Sequence, residues 1–281
     1  MVYSACVPPR RATLRYHTTN GILLKERIGQ LYDAGLRSLT IGFYGIGPAY
    51  DRYVQRRNRF SEFEQGIAAV RDAYGQKVHM QLNWLMMRPT STVSALTEAF
   101  NFAQKYAMSM QVDLIHYSLP YFTEGPDREL QFRATDADAV RSVARELLQL
   151  KRAFPNVIVH TEIGIRSIPD WLLKGPEMKV PCDKYQMIWI RADGTVQLCY
   201  VTFKLGNLYE YRLSELLYGE KHHSAARDCF SLKCPNCHCG YDSRVQKYIR
   251  SRAAYRDDSV LEASTSFAEA PSHTSRGTCW R

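Results

Sequence analysis

No apolar run in this 281-residue chain approaches the roughly 18–20 residues that a membrane-spanning helix needs. The opening stretch Met1–His17, with Pro8-Pro9-Arg10-Arg11, lacks the apolar centre of a signal peptide. A cytoplasmic protein without a membrane partner is expected. No RNP-like or helix-turn-helix pattern accompanies the net charge of +9, and the basic residues are dispersed apart from Arg52, Arg56, Arg57 and Arg59. Nucleic acid is therefore not expected as a partner; a solvated basic surface, or a lining for an anionic cofactor, is. Cysteine is nearly missing before residue 182, where Cys6 stands alone. What remains, 45% hydrophobic and 23% charged, is ordinary globular composition, long enough for one large domain and a small one.

The other cysteines are crowded. Six of the eight fall between Cys182 and Cys239: Cys182, Cys199 (in Gly-Thr-Val-Gln-Leu-Cys), Cys229, Cys234, Cys237 and Cys239. Scattered core thiols do not come as Cys-Pro-Asn-Cys-His-Cys, and in a reducing compartment such a cluster reads as metal-binding or redox-active rather than as a disulfide framework. Thiolates suit zinc and iron–sulfur clusters alike. Cys182 and Cys199 straddle an expected hairpin, and Cys234-x2-Cys237 adds a tight pair, which makes the four ligands of a [4Fe–4S] cluster. Zinc ribbons usually use two C-x2-C knuckles, so the spacing favours iron–sulfur. A local zinc site from Cys229, Cys234, Cys237, Cys239 or His238 is the alternative.

Residues 12–173 alternate strand and helix patterns. Strands are expected at 12–17, 38–43, 77–86, 112–119 and 156–163, and helices at 22–34, 60–74, 90–107, 136–154 and 168–173. Such alternation implies right-handed βαβ units and a parallel sheet. A second domain is expected from about Gly175: a hairpin of 187–191 and 195–200 around Asp193-Gly194, a short helix at 211–218, the cysteines, and a closing helix at 241–255. The Ser/Ala/Glu/Thr-rich remainder from 257, with Cys279, is expected to be disordered and to ligate nothing.

C-x(9–15)-G-x4-C, then Gly206-Asn207-Leu208, a helix and C-x2-C resembles the auxiliary-cluster domain (SPASM, or its shorter twitch form) of radical S-adenosylmethionine enzymes; eleven residues separate Cys182 from Gly194. Upstream, Thr19-Asn20-Gly21 resembles the third barrel strand of such enzymes. Ser38–Gly45 resembles the fourth, and Tyr50-Asp51 with the arginines after it the H-D-x-x-R stretch that follows. The resemblance covers about residues 12–245. It implies a partial (β/α) barrel without its first strands over 1–174, a small α+β SPASM/twitch domain over 175–256, and a tail over 257–281. It also implies a [4Fe–4S] cluster on Cys182, Cys199, Cys234 and Cys237, with Cys229 and Cys239 in reserve. Because barrel chemistry sits at the C-terminal strand ends, Thr19, Asn20, Gly42, Arg56, Asn83 and Arg88 are expected to line a cofactor site. Two positions depart from the family: Gly42 stands where a serine touches the cofactor ribose, and Tyr44 where an aspartate is usual. No catalytic residue is assigned.

Cleavage of S-adenosylmethionine needs a second cluster on C-x3-C-x2-C, and the sequence contains no such motif. A barrel begun at its third strand would expose an unpaired edge and an apolar face. The expectation is therefore a radical-SAM/SPASM enzyme read incompletely, or completed by a partner chain, that modifies a peptide or small molecule with the help of a reducing electron donor. The alternatives are a non-catalytic iron–sulfur electron-transfer or peptide-binding relative, and a zinc-binding interaction protein.

Overall fold

The computed structural model describes residues 16–118, 125–199 and 202–262. Four parallel strands, β1 (Tyr16–Thr19), β2 (Ser38–Phe43), β3 (His79–Met86) and β4 (Ser109–Leu114), lie side by side in chain order. Each is followed by a helical crossover: α1 (Leu24–Asp33) after β1, α2 (Pro48–Tyr53) and α3 (Arg59–Tyr74) after β2, α4 (Val93–Lys105) after β3, and α5 (Ala137–Ala153) after β4. This is an α/β fold, as the alternating patterns imply. Residues 12–15 of the expected first strand, the 200 end of the hairpin, Cys6 and Cys279 lie outside the described residues.

Period-two alternation gives the sheet two different faces. Leu39, Ile41, Phe43, Leu82, Trp84, Met86, Val112 and Leu114 are buried under the helices. Phe63 and Phe102 bring aromatic rings onto Phe43, with centroids 6.1 and 5.2 Å away. The opposite face carries Thr40, Gln81, Asn83, Gln111 and Asp113, all half-buried. The turn after β1 needs its glycine: Gly21 has φ +80°, and a Cβ there would meet the Phe63 ring at 2.9 Å.

The expected fifth strand is the main correction. Residues 156–163 form only one parallel bridge, Met110 to Ile158. Val157 and Val159 exchange backbone bonds with Met110 at 2.7 and 3.0 Å. At the next rung His160 takes over, its Nε2 accepting the Val112 N–H at 2.9 Å. Thr161 then caps a helix, α6 (Glu162–Lys174), by accepting the Gly164 N–H at 3.1 Å, so the expected helix at 168–173 begins earlier. A side chain thus ends the ladder, which hydrophobic periodicity cannot reveal. The fourth strand likewise spans 109–114, where 112–119 is expected; residue 119 lies outside the described residues.

A three-stranded antiparallel sheet follows, β5 (Trp189–Ile190), β6 (Thr195–Gln197) and β7 (Lys204–Asn207). Short helices α7 (Leu213–Leu216) and α8 (Glu220–Phe230) lead into the cysteines. The expected closing helix is broken at Tyr248, whose backbone is extended (φ −102°, ψ 123°), into α9 (Tyr241–Lys247) and α10 (Ile249–Ala254). A last turn, α11 (Ser259–Glu262), occupies sequence expected to be disordered. The preceding Asp258 holds it through Arg152 and Arg166 at 2.9 Å. The rest of that tail lies outside the described residues. No described helix is long and apolar enough to cross a membrane.

Candidate metal centre

The hairpin between β5 and β6 turns at Asp193-Gly194. Gly194 has φ +78°, a conformation glycine adopts without strain. Asp193 accepts the Thr195 N–H at 3.0 Å, and Asn207 donates to the Asp193 carbonyl at 2.9 Å. The Gly-x4-Cys and Gly-Asn-Leu segments are therefore one hydrogen-bonded unit. Val196, Leu198 and Leu205 form a small core under it, and Cys199 emerges buried from its end.

Cys182 and Cys229, the latter in the last turn of α8, are buried and hydrogen-bonded to each other. Cys182 is lowered to about 6. The bond from Cys229 contributes most, a Lys184 backbone N–H and the Arg244 charge add to it, and burial opposes it. Cys229 is correspondingly pushed up, by donating that bond and by burial. It also feels the charges of Cys199 and Cys234, while Cys234 is raised chiefly by burial. Cys237 has other partners: it is raised first by its bond to Cys239, then by burial, and it also bonds His116. Sequence spacing had grouped Cys237 with Cys182 and held Cys229 in reserve. Cys182, Cys199 and Cys234 all act on Cys229, Cys237 acts on Cys234 ahead of Cys182, and Cys237 and Cys239 also meet His116 beyond β4.

Two positioning residues were not anticipated from the sequence. Asn236, in left-handed conformation, donates to the carbonyls of Pro176 and Met178 at 2.9 and 2.8 Å and accepts the Cys237 N–H at 2.8 Å. Arg244 on α9 is fully buried. It donates to the carbonyls of Pro181 (3.2 Å), Cys237 (2.5 Å) and Val180, and its guanidinium lies 4.7 Å over the Trp171 ring. It thereby clamps the residues before Cys182 to Cys237. Its donors go to carbonyls rather than to a carboxylate, so its charge is free to act on the thiols. A lone arginine in a charged helix carries no sequence signal for this role.

The expected cofactor-lining residues fall in separate places. Asn20 and Arg56, with Tyr50, Val54 and Arg59, line a cavity of about 580 Å³ beyond the C-terminal end of β1. Thr19 accepts the Gly21 N–H at 3.1 Å and shapes the turn beside it. Gly42 and Asn83 are register partners on the polar face of the sheet. Asn83 donates to Asp113 at 3.2 Å, and its own buried oxygen has no partner. A Cβ on Gly42 would lie 2.7 Å from the Tyr44 hydroxyl. The two departures noted in the sequence are thus one feature, with Tyr44 filling the space above Gly42. Arg88 stands apart, paired with Asp136 at 2.9 Å and Glu129 at 3.3 Å.

Residues 182–239 match the SPASM iron–sulfur cluster-binding domain. The match covers the cysteine segment, 58 of the 281 residues. It is 36% identical over 61 residues to the GTP 3',8-cyclase of Tolumonas auensis, covering 22% of this chain and 18% of that protein. It is 34% identical over 99 residues to the probable GTP 3',8-cyclase of Sulfolobus acidocaldarius, covering 35% and 29%. The chain therefore aligns with less than a third of either relative's length. In fold it resembles anSMEcpe with bound AdoMet (TM-score 0.55, 15% identity, 76% of this chain and 57% of that one). It also resembles native anSMEcpe with bound AdoMet and Kp18Cys peptide (TM-score 0.55, 15% identity, 76% and 60%).

Proposed function

We propose that this chain serves the radical modification of a peptide or small-molecule substrate, and that its SPASM segment holds a [4Fe–4S] cluster through Cys182, Cys199, Cys229 and Cys234. The observation that carries this reading is Arg244, a buried cation beside the thiols with no carboxylate partner among the described residues. A cluster with four thiolates is anionic, and burying it is costly unless a charge nearby compensates. The donor set fits: thiolates are the usual iron–sulfur ligands, and Cys182 already holds its proton weakly. When bound, the cluster supplies one-electron chemistry. The chain's own residues hold it, shield it from water and set its charge environment.

Arg56 at the cavity beyond β1 suits a carboxylate or phosphate group, beside Arg59, which pairs with Glu62. The polar face, with the unpartnered Asn83 oxygen, offers hydrogen bonds to a substrate. Cleavage of S-adenosylmethionine needs a C-x3-C-x2-C loop that this sequence does not contain, so the residues present account for the auxiliary site. One observation favours a second reading, a non-catalytic electron-transfer or peptide-binding relative: the Tyr44 hydroxyl fills the space above Gly42, the position where the resemblance sets a cofactor-contacting serine.

Anaerobic purification with iron and sulfide analysis tests the cluster. About four irons and four sulfides per chain are expected, together with a reducible cluster signal in electron paramagnetic resonance. Cys182→Ser and Cys229→Ser should each abolish that signal. A chain that takes up zinc at these thiols and never iron would sink the reading. Calorimetric titration with S-adenosylmethionine, with and without Tyr44→Ala, separates the two functional readings.

A further inference from the structure

Asp113, the next-to-last residue of β4, is a half-buried carboxylate on the polar face of the parallel sheet. Among the described residues it has no cation for a partner. Its oxygens accept only the Asn83 amide, at 3.2 Å, and the adjacent Leu114 N–H, also at 3.2 Å. The groups that feel its charge are neutral phenols: burial raises Tyr44 and Tyr241, and Asp113 raises both further. A carboxylate drawn out of water is costly unless a positive group pairs with it. The protein does not supply that group, so a ligand is the natural source.

Two more acceptors stand beside it. A carboxylate only accepts, so Asn83 must turn its amide nitrogen to Asp113, which fixes the two ends of the amide. Its Oδ1 is thereby left buried with no partner. Gly42 is the register partner of Asn83 on β2, and register partners in a parallel pair share a face. The Tyr44 hydroxyl occupies the side-chain space of Gly42, 2.7 Å from where a Cβ would be. Neighbouring strands lie about 4.8 Å apart, which sets the phenol next to the amide. Carboxylate, amide oxygen and phenol oxygen all offer lone pairs there. The spot lies toward the C-terminal ends of β2, β3 and β4, where parallel sheets place ligands.

We infer that Asp113, Asn83 and Tyr44 bind a primary ammonium group carried by the substrate. An ammonium puts three N–H donors on one compact charge. It matches three acceptors on three separate side chains, with Asp113 supplying the countercharge. A guanidinium presents a planar fork that a single carboxylate satisfies best. The inference rests on the reading that this sheet face receives the substrate, and it narrows that substrate to an amine: a lysine-bearing peptide or a small alkylamine.

Saturation-transfer NMR on the full chain, purified anaerobically, tests it. The probes are n-butylammonium, an end-blocked peptide with a single lysine, the same peptide with that lysine acetylated, and tetramethylammonium. At least one amine probe should bind at least about tenfold more tightly than the acetylated peptide. Tetramethylammonium, a charge without N–H donors, should be as weak as the acetylated peptide. Which amine binds better distinguishes a peptide from a small-molecule source. Asp113→Asn keeps the shape and an acceptor for the Asn83 amide, and it should abolish the preference. Equal binding of charged and acetylated probes, or no binding of either amine, would overturn the inference, as would a preference that survives Asp113→Asn. Tight binding of tetramethylammonium would also overturn it, since the stacked rings of Tyr44 and Tyr53 would then be the recognition element. The probe comparison uses the unaltered chain, so it decides even where the variant folds poorly. Iron is measured on the same samples: a chain that lacks iron yet selects amines overturns the cluster reading alone.

Discussion

Replacing Arg244 with alanine should destabilise the cysteine segment more than any other single side-chain truncation in it. The guanidinium is fully buried and donates to three backbone carbonyls, at Val180, Pro181 and Cys237. Truncation leaves three buried acceptors without donors, each costing about 1–3 kcal/mol. Loss of the cation over Trp171 adds about 1–2 kcal/mol. Because the carbonyls share one donor group and relax together, the sum is sub-additive, and about 4 kcal/mol is the expected loss. That is a large part of the 5–15 kcal/mol typical of a folded domain. For a chain of this size it corresponds to a fall in Tm of roughly 8–16 °C. Arg244→Lys keeps the charge but cannot span three carbonyls, so its Tm should fall by less while it retains more iron than the alanine variant. Thermal unfolding followed by circular dichroism, with iron measured on the same samples, checks both. An alanine variant within about 1 kcal/mol of wild type and fully loaded with iron would refute the argument that this clamp holds the site.

Asp242 links α9 to the end of the parallel sheet, accepting from Thr161 N–H (3.0 Å), the Thr161 hydroxyl (2.5 Å) and Gln246 (2.9 Å). Burial works to raise it, but the bonds from His160 and Thr161 prevail and hold it below the usual carboxylate range. A depressed carboxylate contributes stability that is fully present above its unfolded value of about 3.9 and is lost as pH falls through the lower folded value. The stability gap between wild type and Asp242→Asn should therefore close below about pH 4, as read by denaturant titration at a series of pH values. Gly164→Ala should be as damaging as Asp242→Asn, because a Cβ there would lie 2.1 Å from the Asp242 carboxylate; equal Tm for Gly164→Ala and wild type would contradict this. Phe63→Ala should cost about 3–5 kcal/mol by opening the aromatic core, with a matching fall in the urea midpoint. Gly42→Ser should be tolerated far better with Tyr44→Ala than alone, a coupling that a double-mutant thermal-stability cycle would measure and that strict additivity would disprove.

Much of the architecture was legible because it depends on local pattern. Period-two and helical spacings located four parallel strands and their helices, and Asp193-Gly194 marked the hairpin. The fifth strand was not legible, since residues 156–163 have the right periodicity but lose their ladder to the His160 side chain and to Thr161 capping α6. The closing helix was misread for a similar reason: helical spacing continues through Tyr248, while the extended backbone there ends α9. At the site, spacing pointed to the metal-binding segment and even to the Gly194–Asn207 unit, but it could not sort the thiols. C-x2-C is conspicuous in a sequence and a helix-end cysteine such as Cys229 is not, so spacing alone says nothing of the Cys182–Cys229 contact.

By itself, then, the sequence determined that this is an α/β chain followed by a cysteine-rich metal-binding segment, because composition, periodicity and ligand spacing are properties of short stretches. Only the tertiary structure decided that Cys182 meets Cys229, that Arg244 lies buried beside the cysteines, that Tyr44 covers Gly42, and that His116 reaches Cys237 and Cys239. All but the Tyr44–Gly42 contact, which is local to the end of β2, depend on how elements distant in sequence pack against one another. Contacts between residues as much as 129 positions apart are set by the burial of whole faces, and no local motif encodes them.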